Sequence, residues 1–96
     1  MTVVCLKLVS GEEVIGTRVD GKDSTYTDLA SIVMMPGQNG VQQVSLGLMP
    51  FLPYSDNDEF TFNAHAIVIE HVPNQDLINN YNRIFGAGIQ VVSSMP

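Results

Sequence analysis

Leu6-Lys7-Leu8-Val9-Ser10-Gly11-Glu12-Glu13-Val14-Ile15-Gly16-Thr17-Arg18-Val19 reads as two alternating strands joined at Gly11. Glycine supplies the positive φ that a tight hairpin turn demands. Gly16 falls inside the second strand, where a missing side chain lets the strand bend sharply or another backbone approach closely. A hairpin that curls at a mid-strand glycine starts a small sheet on its way to barrel closure. The stretch therefore decides an architecture and leaves the function open.

Outward from it, the first strand covers about Val3 to Val9, with Val4, Leu6 and Leu8 on one face and Cys5, Lys7 and Val9 on the other. The second covers about Glu13 to Val19, and Asp20-Gly21-Lys22-Asp23-Ser24 is a turn-rich connection. Thr25 to Met35 is β-branched and apolar enough for a third strand, ended by Pro36. Pro36-Gly37-Gln38-Asn39-Gly40 then makes a hairpin loop, because Asn-Gly favours the two-residue turns that join antiparallel strands. A fourth strand follows at about Val41 to Met49, with Val44, Leu46 and Leu48 on one face. Pro50-Phe51-Leu52-Pro53 is a rigid apolar exit, and Ser55-Asp56-Asn57-Asp58-Glu59 a polar loop.

Phe60 to Val72 is the second long β signal. Phe60, Phe62, Ala64 and Ala66 keep one phase and Ile67, Ile69 and His71 the other, so a turn or bulge falls near Asn63 to Ala66. After Val72 the period becomes helical: Leu77, Ile78, Tyr81, Ile84 and Phe85 form one apolar stripe. Asn74 is the expected N-cap, Asp76 suits the positive helix end, and Gly86 is the expected stop. This predicts a single domain over 1–96: a barrel over about 3–72, a helix over about 74–86 that caps one open end of the barrel, and a tail over 87–96.

The chain has 96 residues, 45% hydrophobic and only 15% charged, enough for one modest core and leaving apolar surface beyond it. That surplus points to self-association. Ten acidic residues face four cations, Lys7, Arg18, Lys22 and Arg83, for a formal net charge of −6. Such a balance opposes non-specific nucleic-acid binding, which comes from neutralising phosphates, and no DNA partner is expected. One cysteine excludes an internal disulfide and suits a reducing cytoplasm; in its apolar strand, Cys5 reads as a buried structural thiol. No stretch has the length of a membrane helix and no signal-peptide pattern opens the chain, so the expectation is a cytoplasmic protein without a membrane partner.

These elements together resemble the Sm-like family, and most nearly the Sm-like proteins of marine phages of the cyanophage type. Val4 to Met35 is similar to the first Sm signature, with Gly11, Gly16, a polar turn and Asp28-Leu29-Ala30-Ser31-Ile32-Val33-Met34. Phe60 to Val72 corresponds to the second, with Asn63-Ala64-His65-Ala66 at the turn and Ile67-Val68-Ile69 as the last strand. Leu48-Met49-Pro50-Phe51 and a C-terminal helix with Tyr81 match features that recur in the phage proteins. The resemblance implies an all-β, SH3-type, strongly bent five-stranded small barrel with a C-terminal α-helix. It also implies protomers joined edge to edge into a homo-oligomeric ring of about five to seven copies, in the host cytoplasm if phage-encoded. Val44, Leu46, Ile67 and Ile69 then lie at or beside the interface.

By the same resemblance the protein is an RNA-associated ring, with Thr27, Asp28, Ser31, Asn63 and His65 as candidate RNA-binding residues around the pore. The chain departs from the family where the base is held. Ring-forming Sm proteins stack a uridine on an aromatic or methionine and place a cation before the last strand; here the corresponding positions are Leu29 or Ala30, Ser31, and Asn63-Ala64. Base stacking contributes about 1–3 kcal/mol, so an altered, weak site is expected. The alternative is a ring-shaped protein-interaction scaffold that has lost RNA binding.

No catalytic or metal pattern stands beside these. His65 and His71 lack the short fixed ligand spacings of a zinc site. Asp56-Asn57-Asp58-Glu59 lacks the alternation, central glycine and late glutamate of a calcium loop. Ser10, Ser45 and Ser55 occupy no nucleophile elbow. Neither an enzyme nor a cofactor is expected.

Overall fold

The computed structural model describes residues 2–35 and 45–85. The strands are β1 (Thr2–Leu8), β2 (Glu13–Arg18), β3 (Thr25–Met35), β4 (Ser45–Pro50), β5 (Glu59–Thr61) and β6 (Ile67–His71), followed by the helix α1 (Gln75–Tyr81). All pairings are antiparallel, in the order β4-β3-β2-β1-β6, with β5 also on β3. The expected fourth strand starts in the described residues at Ser45 and reaches Pro50; Val41 to Val44, the Asn39-Gly40 turn, Gly86 and the tail lie outside them. Phe60 to Val72 divides into β5, a 3₁₀ turn over Ala64–Ala66 and β6, which makes six strands among the described residues where five were expected.

Both glycines of the opening hairpin have the roles their positions demand. Gly11 sits at φ +93° in the β1–β2 turn, and its N–H donates to the Leu8 carbonyl at 2.8 Å. At Gly16 the β2–β3 register jumps from Ile15↔Ala30 to Thr17↔Thr27, so this one residue opposes both Asp28 and Leu29. The extra residue is a β-bulge that bends β3, with Asp28 left-handed at φ +55°. A Cβ on Gly16 would lie 2.5 Å from Leu29 Cδ2.

The bulge helps the sheet curl. In a flat sheet β3 and β6, three strands apart, would be about 14 Å from each other. Instead the Tyr26 hydroxyl on β3 donates to Glu70 Oε1 on β6 at 2.8 Å, and Arg18 on β2 pairs with the same carboxylate. Inside the curl, Val4, Leu6, Leu8, Val14, Tyr26 and Leu29 form a core to which Phe51, Phe60, Phe62 and Ile67 add. Cys5, Ile15 and Ala30 face the other way and meet Leu77 and Tyr81 of α1. β1 is thus buried on both faces, and the molecule has two cores on either side of one sheet.

α1 starts as expected: the Asn74 side chain accepts from the Leu77 N–H at 2.9 Å. It is shorter than predicted, passing into a wider turn over 82–85, and Ile84 stays 52% exposed. Rather than capping an open end, it lies across the outer sheet face, where Cys5, Ile15 and Ala30 supply an apolar strip. Cys5 is fully buried; burial, then the charge of Glu13, pushes its thiol up to about 11. In β6 the phase also differs from expectation. Ile67 pairs with Leu8 and packs on the inner core, whereas Ile69 pairs with Lys7. Val68 is the extra residue of a second bulge, which turns Ile69 to the opposite face. None of the described helices is long and apolar enough to cross a membrane.

Candidate binding cleft at the bend of the third strand

Because β3 bends at Asp28, its free edge cannot hold one continuous partner. β4 pairs with Ala30 to Met35 and β5 with Thr25 to Thr27, and the chain between them, residues 51–58, leaves the sheet at the bend. Two hydrogen bonds fasten this excursion: Phe51 N–H donates to the Leu29 carbonyl at 3.3 Å, and Thr27 Oγ1 donates to the Asp58 carbonyl at 2.8 Å. Between strand and excursion lies an open cleft of about 330 Å³ lined by Thr27, Asp28, Leu29, Phe51, Asp58 and Phe60 among others. Phe51 and Phe60 meet at right angles with ring centroids 6.3 Å apart, and Phe51 also stacks on Phe62 at 6.0 Å. The cleft therefore has an aromatic floor continuous with the inner core.

Asp28 is held in its left-handed conformation from the opposite side of the sheet. Tyr81 of α1 donates its hydroxyl proton to the Asp28 carbonyl at 2.9 Å. Its oxygen is thereby left to accept from Thr17 Oγ1 at 2.9 Å. Burial pushes the Tyr81 phenol up to about 12, partly offset by the Thr17 hydrogen bond.

The sequence candidates are strung along β3 rather than gathered. Thr27 and Asp28 line the cleft. Ser31 lies toward the β1–β2 hairpin, donating to Glu12 Oε2 at 2.8 Å. Asn63 follows Phe62, whose N–H donates to the carbonyl of Ser24, just before β3 and seven positions from Ser31 on the other side of the bend. The Asn63 side chain accepts from the His65 N–H at 2.9 Å and so caps the 3₁₀ turn; His65 is exposed. Phe51, Phe60 and Asp58 were not among the expected site residues. The signal for Phe51 was the apolar Pro50-Phe51-Leu52-Pro53 run, which reads in sequence only as a strand exit, while Asp58 reads as part of a polar loop and Phe60 as the start of a strand.

Of the expected interface residues, Leu46 is half-exposed on β4, Ile69 is half-exposed on β6, Ile67 packs inward, and Val44 lies outside the described residues. A second cleft, of about 570 Å³, opens where α1 stops short of covering the outer face, lined by Cys5, Ile32, Met34, Leu46, Val72 and Leu77 among others. No three metal-ligating side chains converge among the described residues. Neither a family model nor a curated protein matches the chain.

Proposed function

We propose that the protein is a ring-forming, Sm-like small barrel that acts as a protein-interaction scaffold. The supporting observation is the condition of the two sheet ends. β4 and β6 are the terminal strands among the described residues. Each carries apolar side chains in water: Leu46 and Met49 on β4 are 38% and 56% exposed, and Val68 and Ile69 on β6 are 64% and 52% exposed. Exposed apolar edge strands invite pairing with another chain. Two different edges that meet head to tail generate a closed ring when the rotation closes. Light scattering should give a native mass several times that of the chain, and Leu46→Asp should reduce it to the monomer. A monomeric wild type rejects the assembly, and a Leu46→Asp variant of unchanged oligomeric mass rejects the placing of β4 at its interface.

A second reading, weak RNA binding of the family kind, is favoured by the aromatic floor beside Thr27 and Asp28, since a base stacks on any exposed ring. Against it, Asp28 and Asp58 line that same cleft, and all four cations of the chain have other neighbours. Fluorescence anisotropy with U-rich and A-rich RNA at low and physiological salt separates the two readings. Saturable, base-dependent binding that survives physiological salt establishes the RNA reading, and its absence leaves the scaffold.

A further inference from the structure

We infer that the cleft at the bend of β3 binds the side chain of an arginine from a partner protein; this names the partner chemistry of the scaffold reading and rests on it. The cleft is lined by two aromatic residues, Phe51 and Phe60, by Leu29, and by two exposed acidic residues, Asp28 and Asp58. Among the described residues no lysine or arginine pairs with them. Lys7 pairs with Glu13, Arg18 with Glu70 and Lys22 with Glu59, while Arg83 reaches Asn80, and these are all the lysines and arginines of the chain. Both carboxylates are exposed, and a cation that meets them comes from outside a chain of net charge −6.

The shape of the cleft selects among cations. An arginine lays its methylene stem on apolar surface, stacks its flat guanidinium on aromatic rings and forks its N–H groups toward carboxylates. Lysine offers only a compact, strongly hydrated point charge. The cleft is also built before any partner arrives. Thr27 and Leu29 fasten the excursion to β3, and Tyr81 fixes the backbone of Asp28 from behind, so little ordering remains for binding. A nucleic-acid phosphate, by contrast, would meet two uncompensated aspartates.

The test is an NMR titration of the full chain at low salt with acetyl-Gly-Arg-Gly-amide, watching backbone amides. The parallel titrants are the citrulline counterpart, which keeps the shape without the charge, spermidine and oligouridine. Saturable shifts at Thr27, Asp28, Asn57 and Asp58 are expected with the arginine peptide. Citrulline should bind at least fivefold more weakly, and Asp28→Asn and Asp58→Asn should each weaken the arginine peptide by about threefold to fivefold. Asparagine tolerates the left-handed backbone at 28, and the structural bond at 58 uses the backbone carbonyl, so both variants keep the fold. Equal binding of citrulline, indifference to both substitutions, or tighter binding of spermidine or oligouridine at the same amides overturns the inference. Light scattering on the same samples keeps the two ideas apart: absent shifts with an intact ring reject the arginine site alone, and shifts on a monomer reject the ring alone.

Discussion

Tyr81 and Asp28, 53 positions apart in the chain, are joined by a hydrogen bond in which the phenol of the C-terminal helix donates to the carbonyl of the left-handed residue that bends β3. The helix thus holds the bend, and the bend creates the cleft on the far side of the sheet. Tyr81→Phe removes the donor and leaves the carbonyl to find another partner, while Thr17 loses its acceptor. A loss of about 1–2 kcal/mol of stability is expected, read from urea unfolding. An unchanged midpoint would show that solvent satisfies both groups equally well.

Asp28 itself discriminates between side chains by backbone conformation. Asp28→Asn and Asp28→Gly should fold with nearly native stability, because both residues tolerate φ near +55°. Asp28→Val should be less stable by about 1–3 kcal/mol, since a β-branched residue is strained there. Thermal unfolding of the three variants decides the point; equal midpoints would mean that the bend relaxes.

Gly16→Ala places a methyl group where Leu29 Cδ2 already sits, in a buried core that leaves the leucine little room. Overpacking of this kind destabilises by about 1–3 kcal/mol. Combining it with Leu29→Ala should be less damaging than the sum of the two single changes, because each removes the other's clash or cavity. Strict additivity in a double-mutant cycle would contradict the contact.

Alkaline pH should unfold the protein. Burial and the Glu70 hydrogen bond push the Tyr26 phenol up to about 12, burial takes Tyr81 to about 12, and burial raises the Cys5 thiol to about 11. Each group is an acid whose folded pKa exceeds its unfolded value, so the folded state favours the protonated form. That contribution is complete below about pH 9 and is lost between about pH 9 and 12 as the unfolded chain ionises first. Circular dichroism across this window should show falling stability, and Tyr81→Phe should flatten the upper part of the curve.

Period-two alternation made β1 and β2 legible in the sequence, β-branched and apolar content made β3 so, and the 3.6-residue stripe with Asn74 marked the helix start. Gly11 and Gly16 announced the turn and the bend. What alternation could not disclose was the left-handed Asp28, because aspartate tolerates that conformation but adopts it at only a few of its positions. The division of β3's neighbour into β4 and β5 follows from it and was hidden with it. Val68 bulges for a similar reason: nothing in Ile67-Val68-Ile69 distinguishes the inserted residue from a regular one. The face that α1 covers was equally closed to inspection, since an apolar stripe does not name its partner. Thr27 and Asp28 were read as polar candidates and do line a cleft, but the rings that floor it arrive from Phe51 and Phe60 through pairing across the sheet.

The double burial of β1 has a consequence for synthesis. Val4 to Leu8 are completed on one face by Ile67 and on the other by Leu77 and Tyr81, all far downstream in the chain. Neither layer can close around a nascent chain until nearly all of this sequence has left the ribosome. Until then an apolar strand with two unsatisfied sides stays open to misassociation, a hazard general to incompletely folded chains. The two layers around β1 therefore close only when the helix arrives.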